Sequence, residues 1–242
     1  MKKNLTSICL VAFCCLITNN IYCQTNSQNE VYLKIYDNYV GYNNNGLVNG
    51  RSYLQQTLTV NKSHLFFISP HFTDGSILYN NQYYANPLKY DIVNDLVIIK
   101  NIDKAKTYTL SITSAFVNNF KIHKHHFVRL SKHKDLESFY ANGFFEKIYD
   151  GNTIRFFIKH EKKPIEVLDY GVPRYKFKKK ELYLLYKNEH YYKISKQKHL
   201  KKAFPNLKKE INSFFRYNKN INTKSLTKLF TQLDKIVSNE IK

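Results

Sequence analysis

Residues 143–159 read GFFEKIYDGNTIRFFIK, two runs of aromatic and β-branched residues either side of Asp150-Gly151-Asn152. Asp, Gly and Asn tolerate the positive φ of a tight reversal, so this stretch predicts a β-hairpin with strands in Phe139–Ile148 and Ile154–Lys159. The same pattern continues in both directions. Upstream, the runs His64–Ser69, Ser76–Tyr79, Tyr83–Tyr90, Val97–Lys100, Thr107–Ile112, Phe116–Ile122 and His126–Leu130 are punctuated by Pro70, Thr73-Asp74-Gly75 and Asn80-Asn81-Gln82. Downstream, Glu181–Tyr186 and His190–Ile194 flank Lys187-Asn188-Glu189. A parallel crossover needs a dozen or more residues, so strands joined this closely predict an antiparallel β-meander, an open sheet or partial barrel.

Beyond Ile194 the period changes. Ser195 is placed to cap a short helix carrying Leu200, Ala203 and Phe204, and Pro205 starts a new turn where its missing N–H costs nothing. Leu207, Ile211, Phe214 and Phe215 recur at helical spacing, and so do Leu226, Leu229, Phe230, Leu233, Ile236 and Val237 in a helix beginning near Asn222. The expected fold class is therefore α+β, mostly β, with two or three C-terminal helices over 195–242 packed on a β-rich body over 63–194. Residues 24–62 form an N-terminal segment with one early strand, Val31–Tyr36, and a turn at Asn43-Asn44-Asn45-Gly46.

Lys2 and Lys3 precede an eleven-residue apolar run, Ser7–Ile17, that is too short to span a bilayer, which needs about 20 apolar residues. Residues 1–23 are expected to be a signal peptide, with cleavage after Cys23 and a mature chain from Gln24 without a transmembrane span. Lipid attachment at Cys23 is disfavoured by the bulky Tyr22. All four cysteines, Cys9, Cys14, Cys15 and Cys23, lie inside this segment, so the expected mature chain has no disulfide or catalytic thiol.

Motifs for nucleotide cradles, zinc proteases, serine hydrolases and calcium loops are absent, and seven glycines leave little material for them. His123 and His125 fall on one face of a strand beside Lys121 and Arg129, while His126 faces Phe120, Ile122 and Val128. The cations around the pair oppose a metal ion, so neither a metal nor another cofactor is expected. Asp91 and Asp95 are close enough for an acid/base pair, but their turn position suits capping of backbone N–H groups, and Glu146 and Asp150 follow the same logic.

The 242 residues carry 38 Lys and Arg against 18 Asp and Glu, and residues 161–242 alone hold 21 basic and 8 acidic. The excess is densest at Arg174, Lys176, Lys178, Lys179 and Lys180, then at Lys193, Lys198, Lys201 and Lys202, interleaved with Tyr175, Phe177, Tyr191 and Tyr192. A basic ridge beside an aromatic platform attracts polyanions by counterion release. Nucleic acid would suit the charge but conflicts with export.

The order of Ser76–Ile99, His126–Leu130, Gly143–Lys159 and Tyr183–Asn218 resembles a group of uncharacterised exported proteins of Bacteroidetes-type bacteria, with Tyr90, Asp91, Asp95 and the segment from Leu182 as the matching features. The resemblance covers most of residues 76–240. It implies export to the periplasm or outer-membrane surface of a Gram-negative bacterium and carries no activity. The expected function is that of a non-catalytic envelope binding or interaction protein, contacting an anionic polymer, a lipid headgroup or another envelope protein. The competing expectation is an envelope-polymer hydrolase or transferase using Asp91, Asp95 and His126.

Overall fold

Alternating side chains and short turns build two open antiparallel sheets, followed by three C-terminal helices. The computed structural model describes residues 46–240 apart from 56, 61, 104–105, 131–132 and 138–142, together with Tyr32 and Ile35. The expected signal peptide and most of the expected early strand lie outside these residues, and Tyr32 and Ile35 are helical and exposed rather than extended.

The strands are β1 (Arg51–Ser52), β2 (Gly75–Tyr79), β3 (Gln82–Ala85), β4 (Leu88–Asp91), β5 (Leu96–Asp103), β6 (Lys106–Ser111), β7 (Val117–Ile122), β8 (His125–Arg129), β9 (Phe144–Asp150), β10 (Ile154–Asp169), β11 (Val172–Lys187) and β12 (His190–Ile194). A one-turn helix, α1 (Lys134–Glu137), precedes β9, and α2 (Gln197–Ala203), α3 (Lys208–Tyr217) and α4 (Thr223–Glu240) end the chain. The large sheet runs β12-β11-β10-β9-β8-β7-β2-β3 and the small one β1-β6-β5-β4. Among the described residues no helix is long and apolar enough to cross a membrane.

Several boundaries differ from expectation for local physical reasons. The run Tyr83–Tyr90 is not one strand. Pro87 has no N–H for a ladder, and at Asn86-Pro87 the chain leaves the large sheet and opens the small one. His64–Ser69 is not a strand either; Leu65 and Phe66 are buried, but Phe66 makes only an isolated bridge to Asp91. The strands expected to end at Lys159 and begin at Glu181 extend as a hairpin of two 16-residue strands, paired from Ile154↔Lys187 to Asp169↔Val172. The charged residues of its distal half hide the alternation. Pro164 is tolerated there because β9 ends its pairing at Ile158 and the outer edge of β10 has no ladder to feed. Finally, α2 is entered through Lys196 without a side-chain cap, and the Ser195 hydroxyl lies 3.3 Å from His199 Nδ1 instead. Asn222 does cap α4, accepting from the Ser225 N–H at 2.9 Å while its own N–H donates to Ser225 Oγ at 3.1 Å.

One face of the large sheet is covered twice. Over β2, β7, β8 and the start of β9, Ile77, Phe120, Phe127 and Phe144 pack against Leu88, Tyr90, Val97 and Ile99 of the small sheet. Over β10–β12, Phe156, Ile158, Leu185 and Ile194 pack against Leu200, Ile211, Leu226, Phe230 and Leu233 of the helices. Asp234 ties the second cover to the β9–β10 turn, accepting from the Asn152 and Thr153 N–H groups, Thr153 Oγ1 and the Tyr149 hydroxyl at 2.6–2.9 Å. Between the two covers lies a strip of the sheet face that neither reaches.

Candidate functional site

The uncovered strip is where this face of the sheet turns polar. Across-strand pairs share a face, so the pairings Ile122↔His125, Phe120↔Phe127, Phe127↔Glu146, Glu146↔Ile158 and His160↔Glu181 place His125, Glu146, His160 and Glu181 together with buried aromatics. A bulge at Ile148, between the pairs Tyr149↔Phe156 and Lys147↔Phe157, resets the parity and lets Glu146 face inward while Tyr149 still packs toward the helices.

Glu146 is 6% exposed and bridges two imidazoles, with Oε1 2.5 Å from His125 Nδ1 and Oε2 2.6 Å from His160 Nε2. Burial pushes this carboxyl up, but the hydrogen bonds from His160 and His125 together outweigh it and hold the group below its ordinary value. An ionised carboxylate only accepts, so the bridging nitrogens carry the protons, and in the neutral rings His125 Nε2 and His160 Nδ1 keep their lone pairs. His160 Nδ1 lies 3.9 Å from Glu181 Oε1. The Phe67 ring stands against both imidazoles, with centroid separations of 5.0 Å to His125 and 4.6 Å to His160.

These groups line a cavity of about 370 Å³ whose other walls include Ile92, Lys179, Lys180 and Thr223, the first residue of α4. A wider hollow of about 610 Å³ between α3 and α4 is less telling, because its charged lining residues Lys209, Glu210 and Lys228 are all exposed. Among the described residues no group of three or more His, Cys, Asp or Glu is arranged to hold a metal ion.

The distal hairpin supplies the second feature. Its rungs Lys162↔Lys179 and Lys163↔Lys178 place lysines directly opposite each other twice in succession. Like charges so placed are destabilising. Lys162 is 6% exposed and donates from Nζ to the carbonyls of His64 and Phe66 at 2.5 and 2.6 Å; burial, then the charge of Lys179, pushes its pKa down to about 8. Among the described residues Lys163, Lys176, Lys178 and Lys179 have no ion-pair partner, whereas Lys180 meets Glu161 at 3.4 Å and Arg174 meets Asp169 at 3.3 Å.

The expected basic ridge is divided by this geometry. On β11, Lys176, Lys178 and Lys180 alternate with Tyr175, Phe177 and Lys179, so the run occupies both faces. Lys198, Lys201 and Lys202 sit on α2, whose C-cap residue Phe204 lies under Lys187, at the opposite end of β11. Seven residues of strand separate Lys180 from Lys187, roughly 23 Å. Lys193, on β12, is opposite Leu184 of β11. The aromatic residues are mostly engaged in packing: Phe177 against the cluster of Leu65, Phe66 and Ile98, Tyr191 against Tyr186 at 4.7 Å, and Tyr192 beneath the helices. Tyr175 donates from its hydroxyl to Glu166 at 3.4 Å, and its backbone N–H donates to Leu58 at 2.9 Å.

Asp91 and Asp95 have separate partners. Asp91 is fully buried and accepts from the Val93 and Asn94 N–H groups, Asn94 Nδ2 and the Tyr53 hydroxyl, which is a turn cap. Asp95 accepts from the Tyr90 hydroxyl and pairs with Lys159 at 2.9 Å. The histidine faces are the reverse of those expected, because His123 takes φ 51° in the β7–β8 turn and the strand restarts at His125. His125 thus faces inward, while His126 pairs with Lys121, with its Nε2 buried and without a hydrogen-bond partner. Burial, then Lys147 and Lys121, lowers its pKa.

Phe67, His160, Glu181 and Lys162 went unnoticed in the sequence. The signal for two of them is the stripe Ile154, Phe156, Ile158, His160, Lys162, an apolar face that turns polar without losing its period of two. Comparison of the chain with protein-family models, with curated proteins and with solved structures gives no match.

Proposed function

We propose that this is an exported binding protein of a Gram-negative envelope that holds an anionic component along the β10–β11 hairpin. The observation that carries the proposal is the pair of like-charged rungs, Lys162↔Lys179 and Lys163↔Lys178. Placing lysines opposite each other opposes folding, and an anion bound over the exposed rung Lys163↔Lys178 converts its repulsion into attraction. Among the described residues Lys163, Lys176, Lys178 and Lys179 are exposed and have no ion-pair partner, which suits a polymer or a surface bearing phosphates better than a single small ion.

Polyphosphate is a suitable soluble probe. Retention should be strong at low salt and fall steeply as salt rises, with each lost lysine contact reducing the log–log slope by ~0.7–0.9. Replacing Lys163, Lys176, Lys178 and Lys179 by Gln should flatten that slope, while replacing Lys198, Lys201 and Lys202 on α2 should leave it unchanged. Equal loss in both variants would reduce the effect to net charge and sink the proposal. Export itself is tested by intact mass: protein recovered from the envelope should begin at Gln24.

A second reading, acid/base catalysis on an envelope polymer, is favoured by one observation, the bridge His125–Glu146–His160 at the cavity. A carboxylate that orients an imidazole raises its basicity, and His125 Nε2 is the nitrogen left to take a proton from water or a substrate hydroxyl. Wild type that releases soluble fragments from purified envelope polymer, where Glu146→Gln does not, would favour this reading over simple binding.

A further inference from the structure

The hairpin ends in a two-residue turn, Tyr170-Gly171, with φ of 51° and 78°. Both central positions of such a turn need positive φ, which Gly accepts freely and which is an outlier for a bulky side chain. Elsewhere this chain meets the requirement with polar residues: Asn80 and Asn81 join β2 to β3, and Asn188 and Glu189 join β11 to β12. At the tip of the long hairpin it uses a tyrosine that is 100% exposed. Backbone strain is thus accepted where it presents an aromatic ring to the surroundings.

The ring is not alone. Leu168 is 75% exposed and Val172 43%, so apolar side chains flank the turn on the first two rungs. The acidic groups nearby are engaged, Asp169 by Arg174 and Glu166 by the Tyr175 hydroxyl. Behind the apolar tip come Arg174, Lys176, Lys178 and Lys163. Arg174 lies on the third rung from the turn, roughly 10 Å back at the rise of a β-strand, and Lys176 on the fifth, roughly 17 Å back. An apolar end about 5–10 Å deep, a ring with a polar hydroxyl, and cations at the next level match the layers of an anionic bilayer surface.

We propose that the tip of the β10–β11 hairpin docks on anionic lipid, seating Leu168, Tyr170 and Val172 at the boundary between headgroups and acyl chains while Arg174, and behind it Lys176, reach the phosphates. This rests on the anion-binding reading of the hairpin and names its source as a membrane surface. A soluble polyanion would satisfy the lysines but offers nothing to the apolar tip, and a protein partner would not require the cations to follow the apolar layer in depth.

The chain contains no tryptophan, so Tyr170→Trp installs a single reporter at an exposed position. With vesicles containing phosphatidylglycerol its emission should shift to the blue and be quenched more by bromine near the headgroup end of the acyl chain than by bromine near the bilayer centre. Vesicles of phosphatidylcholine alone should give much weaker binding. The double variant Leu168→Ser, Tyr170→Ser should lose about tenfold or more in partitioning to the anionic vesicles while keeping polyphosphate retention and thermal stability. Unshifted, unquenched emission on anionic vesicles would overturn membrane docking, as would equal partitioning of the double variant. If polyphosphate retention survives in that case, the anion-binding reading stands without it; if wild type binds neither probe, both fall.

Discussion

Lys179→Gln should make the protein more stable and a poorer binder at once. Lys179 sits opposite Lys162, whose ammonium is buried against two carbonyls and has its pKa pushed down from 10.5 to about 8 by burial and then by this neighbour. Glutamine keeps the side-chain stem and removes the charge. Directly opposed like charges cost about 0.2–1 kcal/mol, so the variant should gain roughly 0.5 kcal/mol, or about 1–2 °C in Tm for a chain of this size. The same change removes one cation from the anion-binding surface of the hairpin, so polyphosphate retention should weaken and its log–log salt slope should fall by ~0.7–0.9. The pH dependence separates this mechanism from an unrelated stabilisation. Because the folded pKa of Lys162 lies below its unfolded value, the unfolded chain binds more protons between about 8 and 10.5, and the penalty from this group is complete below about 8 and relieved as pH rises. Once Lys162 is neutral, Lys179 repels nothing there, so the advantage of the variant should shrink over that window. Urea unfolding of both proteins across the range, without polyanion, measures it. A variant less stable than wild type near neutral pH, or an advantage that does not change with pH, would refute the account.

Asp234→Ala should cost about 3 kcal/mol in urea unfolding, since it leaves two backbone N–H groups and two hydroxyls of the β9–β10 turn without their acceptor. Burial pushes the Asp234 carboxyl up but its four donors hold it below 3.8, so its contribution is present above that value and is lost as pH falls through the folded pKa; Asp234→Asn should flatten this acid dependence. Glu146→Gln should free the imidazoles it orients: nitrogen NMR of the neutral rings should show the proton on Nδ1 of His125 and on Nε2 of His160 in wild type, and a mixture in the variant. Gly171→Ala should destabilise by about 1 kcal/mol through its positive φ, while Gly171→Asn should be nearly silent, with thermal unfolding as the measure.

The sequence by itself determined the local events. Asp150-Gly151-Asn152 marks the β9–β10 reversal, although none of the three takes positive φ and the turn is closed by the Gly151 N–H donating to the Ile154 carbonyl; the short connections force antiparallel pairing, and Asn222 starts α4 because its side chain meets an orphan N–H. It also located the cationic stretch Arg174–Lys180, which any reading of composition finds. What it could not supply was parity across turns. A reversal at His123-Lys124 and a bulge at Ile148 each shift which side chains face inward, so His125 rather than His126 enters the cavity and Glu146 leaves the role of a turn residue. Nor did it reveal that the hairpin continues through Pro164 and Lys-rich rungs, since solvent-exposed strands carry no apolar alternation. The cavity itself belongs to tertiary structure alone. It exists because the small sheet and the helices cover one face of the large sheet from opposite ends and stop short of each other, bringing Phe67, His125, Glu146, His160 and Glu181 together across more than a hundred residues of chain. Local propensity acts over a few neighbours along the chain, whereas the place where two packed layers fail to meet depends on strand order and on the volumes of the side chains that fill each core.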